Sequence, residues 1–251
     1  MAPGSPTPHT GGRFRCRARM AAMNPSAALP PLAPPMAPRH GAVGLALVAG
    51  LSLLAGMTDA IGFLATGDFV SFMSGNTTRL AADVAAGRWG AAGHLALAIA
   101  TFVLGNAGGV LLQRLTRQRA CLLLGLLALL LALAASLPAG RLALLTGVFA
   151  MGMVNAVVEQ VYGLPIGLTY VTGALSRFGR GLGHWLLGER RRGWRIQLVP
   201  WLGMLLGGVL GAALEAGLGL AAWYACAALA AILAVIFRLI PRAWQLGYLA
   251  S

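Results

Sequence analysis

The sequence AVGLALVAGLSLLAGMTDAIGFL, which occupies residues 42–64, decides the fold class. Asp59 is the one ionisable side chain in this otherwise largely apolar stretch. Crossing the hydrocarbon core of a bilayer takes about 20 consecutive apolar residues. Backbone polar groups in lipid have to be hydrogen-bonded within the protein, which favours a helix. The stretch therefore predicts a transmembrane α-helix.

Five further apolar runs of similar length follow along the chain. The protein of 251 residues is 58% hydrophobic and 10% charged, whereas soluble domains carry about 25% charged residues. The predicted fold class is therefore all-α, a polytopic membrane protein with about six transmembrane helices. The five further predicted helices occupy residues 91–112, 120–137, 142–163, 196–214 and 218–240.

Two connections, residues 65–90 and 164–195, are too long and too apolar to be ordinary loops. Each contains a short helical pattern, at residues 77–86 and 174–187. Both patterns are compatible with a broken, re-entrant helix or with a short full span, and the distribution of positive charge distinguishes the two.

All 19 basic residues are arginines. If both short helices are re-entrant, sixteen arginines lie on one side of the membrane and only Arg79, Arg88 and Arg141 lie on the other. Arginine is retained on the cytoplasmic side of membrane segments. The count therefore favours six spans with both termini in the cytoplasm. Because these arginines flank apolar runs, the net charge of +13 does not indicate nucleic-acid binding.

The ends of the chain differ from its apolar middle. Residues 1–40 contain nine of the 13 prolines and five of the arginines, and such sequence cannot bury enough apolar surface to fold. We therefore expect a disordered, Pro/Arg-rich cytoplasmic tail there. The membrane domain divides into one repeat at residues 41–139 and another at 140–241, and residues 242–251 form a short C-terminal tail.

Three ordered blocks repeat between the two halves. Since each half carries three spans, an odd number, the second half is predicted to be inverted relative to the first, an architecture typical of secondary transporters and channels. The blocks are GMTDA at 56–60 with GMVNA at 152–156 (offset 96), FMSG at 72–75 with YVTG at 170–173 (offset 98), and Phe102 and Gly108-Gly109 with Trp201 and Gly207-Gly208 (offset 99).

Asp59 and its repeat mate Asn155 are the first candidate site residues. An ionisable group within a membrane segment costs about 2.5–3.5 kcal/mol on insertion scales. Asp59 is therefore either a proton or ion site, or a cap bonded to the backbone of the broken segment that follows it. Glu159 lies one predicted helical turn after Asn155, and Gln160 follows it, which predicts a polar stripe on the fourth span.

The two broken segments supply the remaining candidates. Hydroxyl, amide and glycine residues favour helix starts and tight turns, and a half-helix beginning there would direct its N–H groups inward. We expect these turns to meet near the bundle centre and to bind an anionic or carbonyl-bearing substrate, or else to act only as capping turns. The residues are Ser74, Gly75, Asn76 and Thr77 in the first half and Thr169, Thr172 and Gly173 in the second.

Arg79 and Arg177 are repeat mates within the short helices. Each is predicted to bind an anion, to pair with an acid such as Asp83, or to extend towards the interface. The cysteines Cys16, Cys121 and Cys226 are widely separated, so no metal site and no cofactor are predicted. The sequence also lacks the nucleophile-elbow, zincin, phosphate-loop and dinucleotide motifs, so no enzyme activity is predicted.

At GMTDAIGFL, FMSGNTTRL, GMVNAVVEQ and TYVTGALSRFG the chain resembles the YoaK family of bacterial membrane proteins, also grouped as domain of unknown function 1275. The resemblance covers about residues 42–240. Ser74 stands where the family usually has threonine, a change that keeps the hydroxyl. The resemblance implies a bacterial inner-membrane protein of about six spans, and it supplies no substrate.

These features together favour a small secondary transporter or permease with a polar site near the midplane. A non-transporting scaffold or complex subunit and a passive channel are the alternatives. The expected partners are the lipid bilayer and an unidentified small-molecule or ion substrate, and the sequence leaves self-association into a homo-oligomer open.

Overall fold

The computed structural model describes residues 38–116, 119–155, 160–161, 164–165, 171–189 and 193–241. Within these residues the protein is helical apart from one short antiparallel hairpin, β1 (Gln160–Val161) with β2 (Leu164–Pro165), in which Gln160 pairs with Pro165. Short 3-10 turns at Trp194–Gln197 and Gly219–Ala222 precede the last two helices. The α-helices are α1 (Pro38–Thr66), α2 (Met73–Ala85), α3 (Trp89–Leu115), α4 (Ala120–Ser136), α5 (Arg141–Val154), α6 (Val171–Leu186), α7 (Leu198–Leu218) and α8 (Trp223–Leu239).

Three helical stretches are long and apolar enough to cross a membrane, namely Gly41–Thr66, Trp89–Leu115 and Trp194–Leu239. The last of these contains both α7 and α8, while α4 and α5 are shorter apolar helices. The prediction of an all-helical fold with long apolar helices is therefore confirmed. The predicted short helices at residues 77–86 and 174–187 correspond to α2 and α6, which begin four and three residues earlier. The predicted tails at residues 1–40 and 242–251 lie almost entirely outside the described residues, although α1 begins at Pro38.

The fourth predicted span, residues 142–163, is wrong beyond Val154. Helix α5 ends there, and Gln160 belongs to the hairpin. The apolar run continues past this point, so its length did not reveal where the helix ends. Gln160 therefore does not continue a polar stripe along α5, and Glu159 lies outside the described residues.

Helices α1, α4 and α8 build the centre of the core. Leu124, Leu127 and Leu131 of α4 are fully buried, as is Trp223 at the start of α8, whose indole nitrogen donates to the Thr58 carbonyl at 3.4 Å. Helix α4 packs extensively against α8, and the Tyr224 hydroxyl at the start of α8 donates to the Ser136 hydroxyl at the end of α4 at 3.0 Å. The two helices therefore run in opposite directions.

The most extensive packing in the molecule is a glycine seam between α1 and α7. Gly203, Gly207 and Gly211 of α7 face Ala49, Leu53 and Met57 of α1 in that order, so the two helices run in the same direction. A Cβ atom built on Gly207 would overlap the Leu53 carbonyl. Small residues are what allow two helix backbones to approach this closely.

Helices α3 and α5 repeat this seam with different residues. A Cβ on Gly152 of α5 would meet the Phe102 carbonyl and the Asn106 nitrogen. A Cβ on Gly56 of α1 would meet the equivalent atoms of Met204 and Gly208 in α7.

These matched contacts correct the third block of the sequence repeat. Gly105 of α3 abuts the Phe149 carbonyl, as Gly207 of α7 abuts the Leu53 carbonyl. The contacts therefore pair Gly105 with Gly207, an offset of 102, and the offset of 99 read from Gly108-Gly109 was wrong by three residues. The sequence alignment of α3 with α7 shifted by three residues, almost one helical turn. Such a shift still aligns glycine with glycine, because glycines stand three or four positions apart in this part of both helices.

The seam predicts a selective cost for adding one methyl group. Gly207→Ala should lower the free energy of unfolding by about 1–3 kcal/mol, because the new Cβ displaces the Leu53 backbone. Gly125→Ala in α4 is the matched control, since a Cβ built there meets no atom within 4 Å. Reversible unfolding in mixed micelles measures both variants. Equal stabilities for the two would contradict the seam.

Candidate functional site

After the end of α1 the chain reverses direction and runs back alongside α1. The helix ends at Thr66, and Gly67 adopts a left-handed conformation with φ of +82°, which glycine accepts at little cost. Residues 67–72 then return to the level of Asp59, seven residues and about 10 Å before the end of α1. Helix α2 begins from that depth and leads back to the start of α3, as a re-entrant helix would.

The Asp59 carboxylate holds this returning segment by its backbone. One carboxylate oxygen accepts from the amides of Val70 (2.8 Å), Ser71 (2.6 Å) and Phe72 (3.4 Å), and the other accepts from the Ser71 hydroxyl at 2.6 Å. Asp59 is only 5% exposed. Of the two roles that the sequence left open, this geometry is that of the cap on the broken segment.

Asn76 fixes the other side of the same turn. Its side-chain oxygen accepts from the Phe69 amide at 3.1 Å, and its side-chain nitrogen donates to the Phe69 carbonyl at 2.7 Å. Phe69 in turn stacks on Phe63, with ring centroids 4.7 Å apart, and meets Phe72 edge-on. A Cβ on Gly75 would collide with the rings of Phe69 and Phe72, so this glycine makes room for the aromatic cluster.

The structure brings the starts of the two short helices to one cavity. This cavity has a volume of about 350 Å³. Met73 and Ser74 of α2 line it together with Thr172 and Gly173 of α6. The remaining lining residues are Ser71, Phe72, Phe102 and Val171.

The other predicted site residues lie apart from this cavity wall or outside the description. The Thr77 hydroxyl donates to the Met73 carbonyl of its own helix at 2.8 Å and is exposed. Asn155 lies just after the end of α5. Glu159 and Thr169 fall outside the described residues.

Arg79 pairs with Asp68, and not with Asp83. Its guanidinium lies 2.7 Å from the Asp68 carboxylate and also donates to the Gly67 carbonyl. Asp83 instead pairs with Arg88 at 2.6 Å. Sequence reasoning missed Asp68, although its position just after the apolar end of α1 was a usable signal. The repeat mate, Arg177, donates to the Gln197 side chain at 2.8 Å.

Among the described residues, no group of three or more His, Cys, Asp or Glu side chains could hold a metal ion. The cavity between α2 and α6 offers hydroxyl groups and apolar walls, and none of its lining side chains is charged. Such a lining can enclose a small polar molecule through hydrogen bonds and shape.

These helices and this buried turn define a polytopic α-helical membrane protein. The chain matches the family described as Protein of unknown function (DUF1275) over residues 47–236, and it belongs to that family. It is 54% identical over 216 residues to a UPF0700 transmembrane protein of Rhizobium meliloti (strain 1021), covering 85% of this chain and 94% of the relative. No solved structure matches the chain. The resemblance seen in the sequence motifs is thereby confirmed.

The Asp59 anchor predicts a graded loss of stability. Asp59→Ala leaves three buried amides without an acceptor, and each unpaired buried group costs about 1–3 kcal/mol. Asp59→Asn retains one acceptor oxygen and should lose less. Thermal unfolding in detergent measures both.

The matched control is Asp83→Ala. It removes a buried carboxylate that accepts from the exposed Arg88 guanidinium and not from buried backbone amides, so it should cost less than Asp59→Ala. An Asp59→Ala protein as stable as Asp83→Ala would refute the anchor.

Proposed function

We propose that this membrane protein is a small secondary transporter whose solute occupies the cavity between α2 and α6. The observation that carries the proposal is that the starts of two broken helices, one from each half of the chain, line the same cavity. Transporters built from repeats have their substrate sites among discontinuous helices near the bilayer midplane. The proposed function includes no enzyme activity.

The helix directions support six spans with α2 and α6 re-entrant. In that arrangement α1 and α7 run one way and α4 runs opposite to α8, as the seam contacts and the Tyr224–Ser136 hydrogen bond require. If α2 and α6 both crossed the membrane, α4 and α8 would run in the same direction. Thr66, His94 and Arg141 also line one cavity. The end of α1 and the starts of α3 and α5 are thus on the same side.

The packing pattern supports an inverted repeat. In the repeat, α1 corresponds to α5, α3 to α7 and α4 to α8. Exchanging the two halves therefore converts the α1–α7 seam into the α5–α3 seam and maps the α4–α8 contact onto itself. All three contacts are among the most extensive in the molecule. A two-fold axis in the membrane plane would generate this pattern. Together with the arginine count, it favours the bacterial inner membrane with both termini cytoplasmic and Arg141 outside.

The chemistry of the cavity favours a small, uncharged polar solute. The amides of residues 70–72 at the start of α2 are already bonded to the Asp59 carboxylate, which also balances the positive end of the helix dipole. These three amides are therefore not available to an anion, and of the anionic and carbonyl-bearing solutes that the sequence left open we favour the second. The Ser71 hydroxyl already donates to Asp59, and the hydroxyls of Ser74 and Thr172 suit a solute with carbonyl or hydroxyl groups.

A scaffold or complex subunit and a passive channel make different predictions about access to this cavity. We expect Ser74→Cys and Thr172→Cys, in a protein with Cys16, Cys121 and Cys226 replaced by alanine, to react with a membrane-impermeant thiol reagent from either side of a proteoliposome. Each conformation of a transporter opens to one side only. A quencher on one side should therefore reach one fraction of the labelled molecules, and a quencher on the other side should reach a separate fraction, so the two quenched fractions add. A channel would let either side quench all molecules, and a scaffold with one fixed conformation would let no more than one side reach the thiols.

Leu129→Cys provides the control for specificity. Leu129 lies on α4 with 65% of its surface exposed to the surroundings of the helix bundle, where lipid is expected. A polar reagent should not modify a cysteine in that position. Modification of Leu129→Cys at the rate of Ser74→Cys would remove the cavity as the cause of the labelling.

A further inference from the structure

A second cluster of titratable side chains lies at the other end of the returning segment. One carboxylate oxygen of Asp68 contacts the Arg79 guanidinium at 2.7 Å, and the other contacts Nε2 of His94 at 2.9 Å. Asp68 is 6% exposed. The carboxylate thus joins three elements, namely the segment after α1, helix α2 and helix α3.

This cluster opens to its own cavity, with a volume of about 330 Å³. Asp68 and His94 form one part of its wall. Gly140 and Arg141 at the start of α5 form another part, and Thr66 at the end of α1 lines it as well. The cavity gives water and protons a route to the carboxylate from the side of the molecule that carries these helix ends.

We propose that Asp68 and His94 form the binding site for the proton that drives transport. This inference rests on the proposed function and names its coupling ion. Histidine is the side chain whose charge changes between about pH 5 and 8. With the contact at Nε2 engaged by Asp68, Nδ1 of His94 is buried and has no hydrogen-bond partner among the described residues.

Because Nδ1 is buried, its lone pair takes a proton from a hydronium ion in the cavity when the ring moves, and the hydronium ion becomes water. The site gains one positive charge and no electron is transferred. The new N–H has no acceptor at Nδ1 within the described part of the chain, and an unpaired buried donor is costly. The ring must therefore shift, or the proton must pass to Asp68 and neutralise the charge that holds Arg79. Either outcome changes the contacts of the carboxylate.

The charges around the site agree with this role. Arg79 reaches it from α2 and Arg141 lines the cavity from α5, while α1 and the α4–α5 connection contribute only Ala65, Thr66 and Ala139. Because two arginines already face one carboxylate, a further positive charge on the ring is opposed, which favours passage of the proton to Asp68. The other charged residues of this region, Asp83 and Arg88, pair with each other.

The Asp68–His94 site is linked to the solute cavity through the short segment of residues 67–72 and through α2. Asp68 and the cavity-lining pair Ser71 and Phe72 belong to the same segment, residues 67–72. Arg79, the partner of Asp68, lies on α2, whose first residues line the same solute cavity. A change in the contacts of Asp68 is thereby transmitted to the wall that contacts the solute.

The test measures the position of α2 as a function of pH. Spin labels at Thr78 on α2 and Leu129 on α4, in the cysteine-free full chain in liposomes, report the distance between the two helices. We expect the distance distribution to shift between pH 8 and pH 5.5 in the parent protein. The shift should be lost in His94→Gln and in Asp68→Asn.

His184→Gln is the matched control, because His184 also contacts a carboxylate, that of Glu189 at 2.9 Å, but lies on α6. It should retain the shift. A parent without a pH-dependent shift, or an unchanged shift in either His94→Gln or Asp68→Asn, would overturn the proton site. If His94→Gln does not fold, Asp68→Asn alone decides. Two-sided quenching at fixed pH 8 tests the transporter separately, so failure of one proposal is distinguishable from failure of the other.

Discussion

The bond between the Asp59 carboxylate and the amides of residues 70–72 is the contact on which the rest of the structure depends. A non-helical segment at membrane depth is tolerated only where its backbone groups are satisfied by the protein. Asp59 supplies the acceptors, and Asn76 supplies both a donor and an acceptor for Phe69. These two side chains allow the chain to return into the bundle and to begin α2 there. Without them the cavity would lose one of its two walls.

The two glycine seams bring the returning segment of residues 67–72 opposite the start of α6. Because α1 packs on α7 and α3 packs on α5 at backbone contact distance, the segments attached to those helices come to line one cavity. The solute cavity forms where the two short helices start, and the Asp68–His94 pair lies at the outer end of the same six-residue segment. The acid that anchors the backbone, Asp59, and the acid that we propose for the proton site, Asp68, are thus two different residues only nine positions apart.

Much of this arrangement could be predicted from the sequence because it follows from local pattern. Apolar runs identified the long helices, and the short pattern at residues 77–86 identified α2. The Ser-Gly-Asn-Thr block lies within the first turns of that helix, which begins earlier, at Met73, with Phe72 as its N-cap. The end of α5 was missed because the apolar pattern continues past Val154, where the helix ends. The Asp68–His94 contact could not be predicted, since it joins residues 26 positions apart on different elements. The choice between a proton site and a cap for Asp59 likewise depended on which atoms the folded chain places around the carboxylate.

The most direct measurement of the central claim is a cross-link across the solute cavity. In a cysteine-free protein with a protease site between α4 and α5, Ser74→Cys and Thr172→Cys are treated with a short bifunctional thiol reagent and the chain is then cut. The account predicts that the two halves remain covalently joined, and that a Leu129→Cys and Thr172→Cys pair separates. Halves that separate in the Ser74 and Thr172 pair would contradict a shared cavity at the starts of α2 and α6.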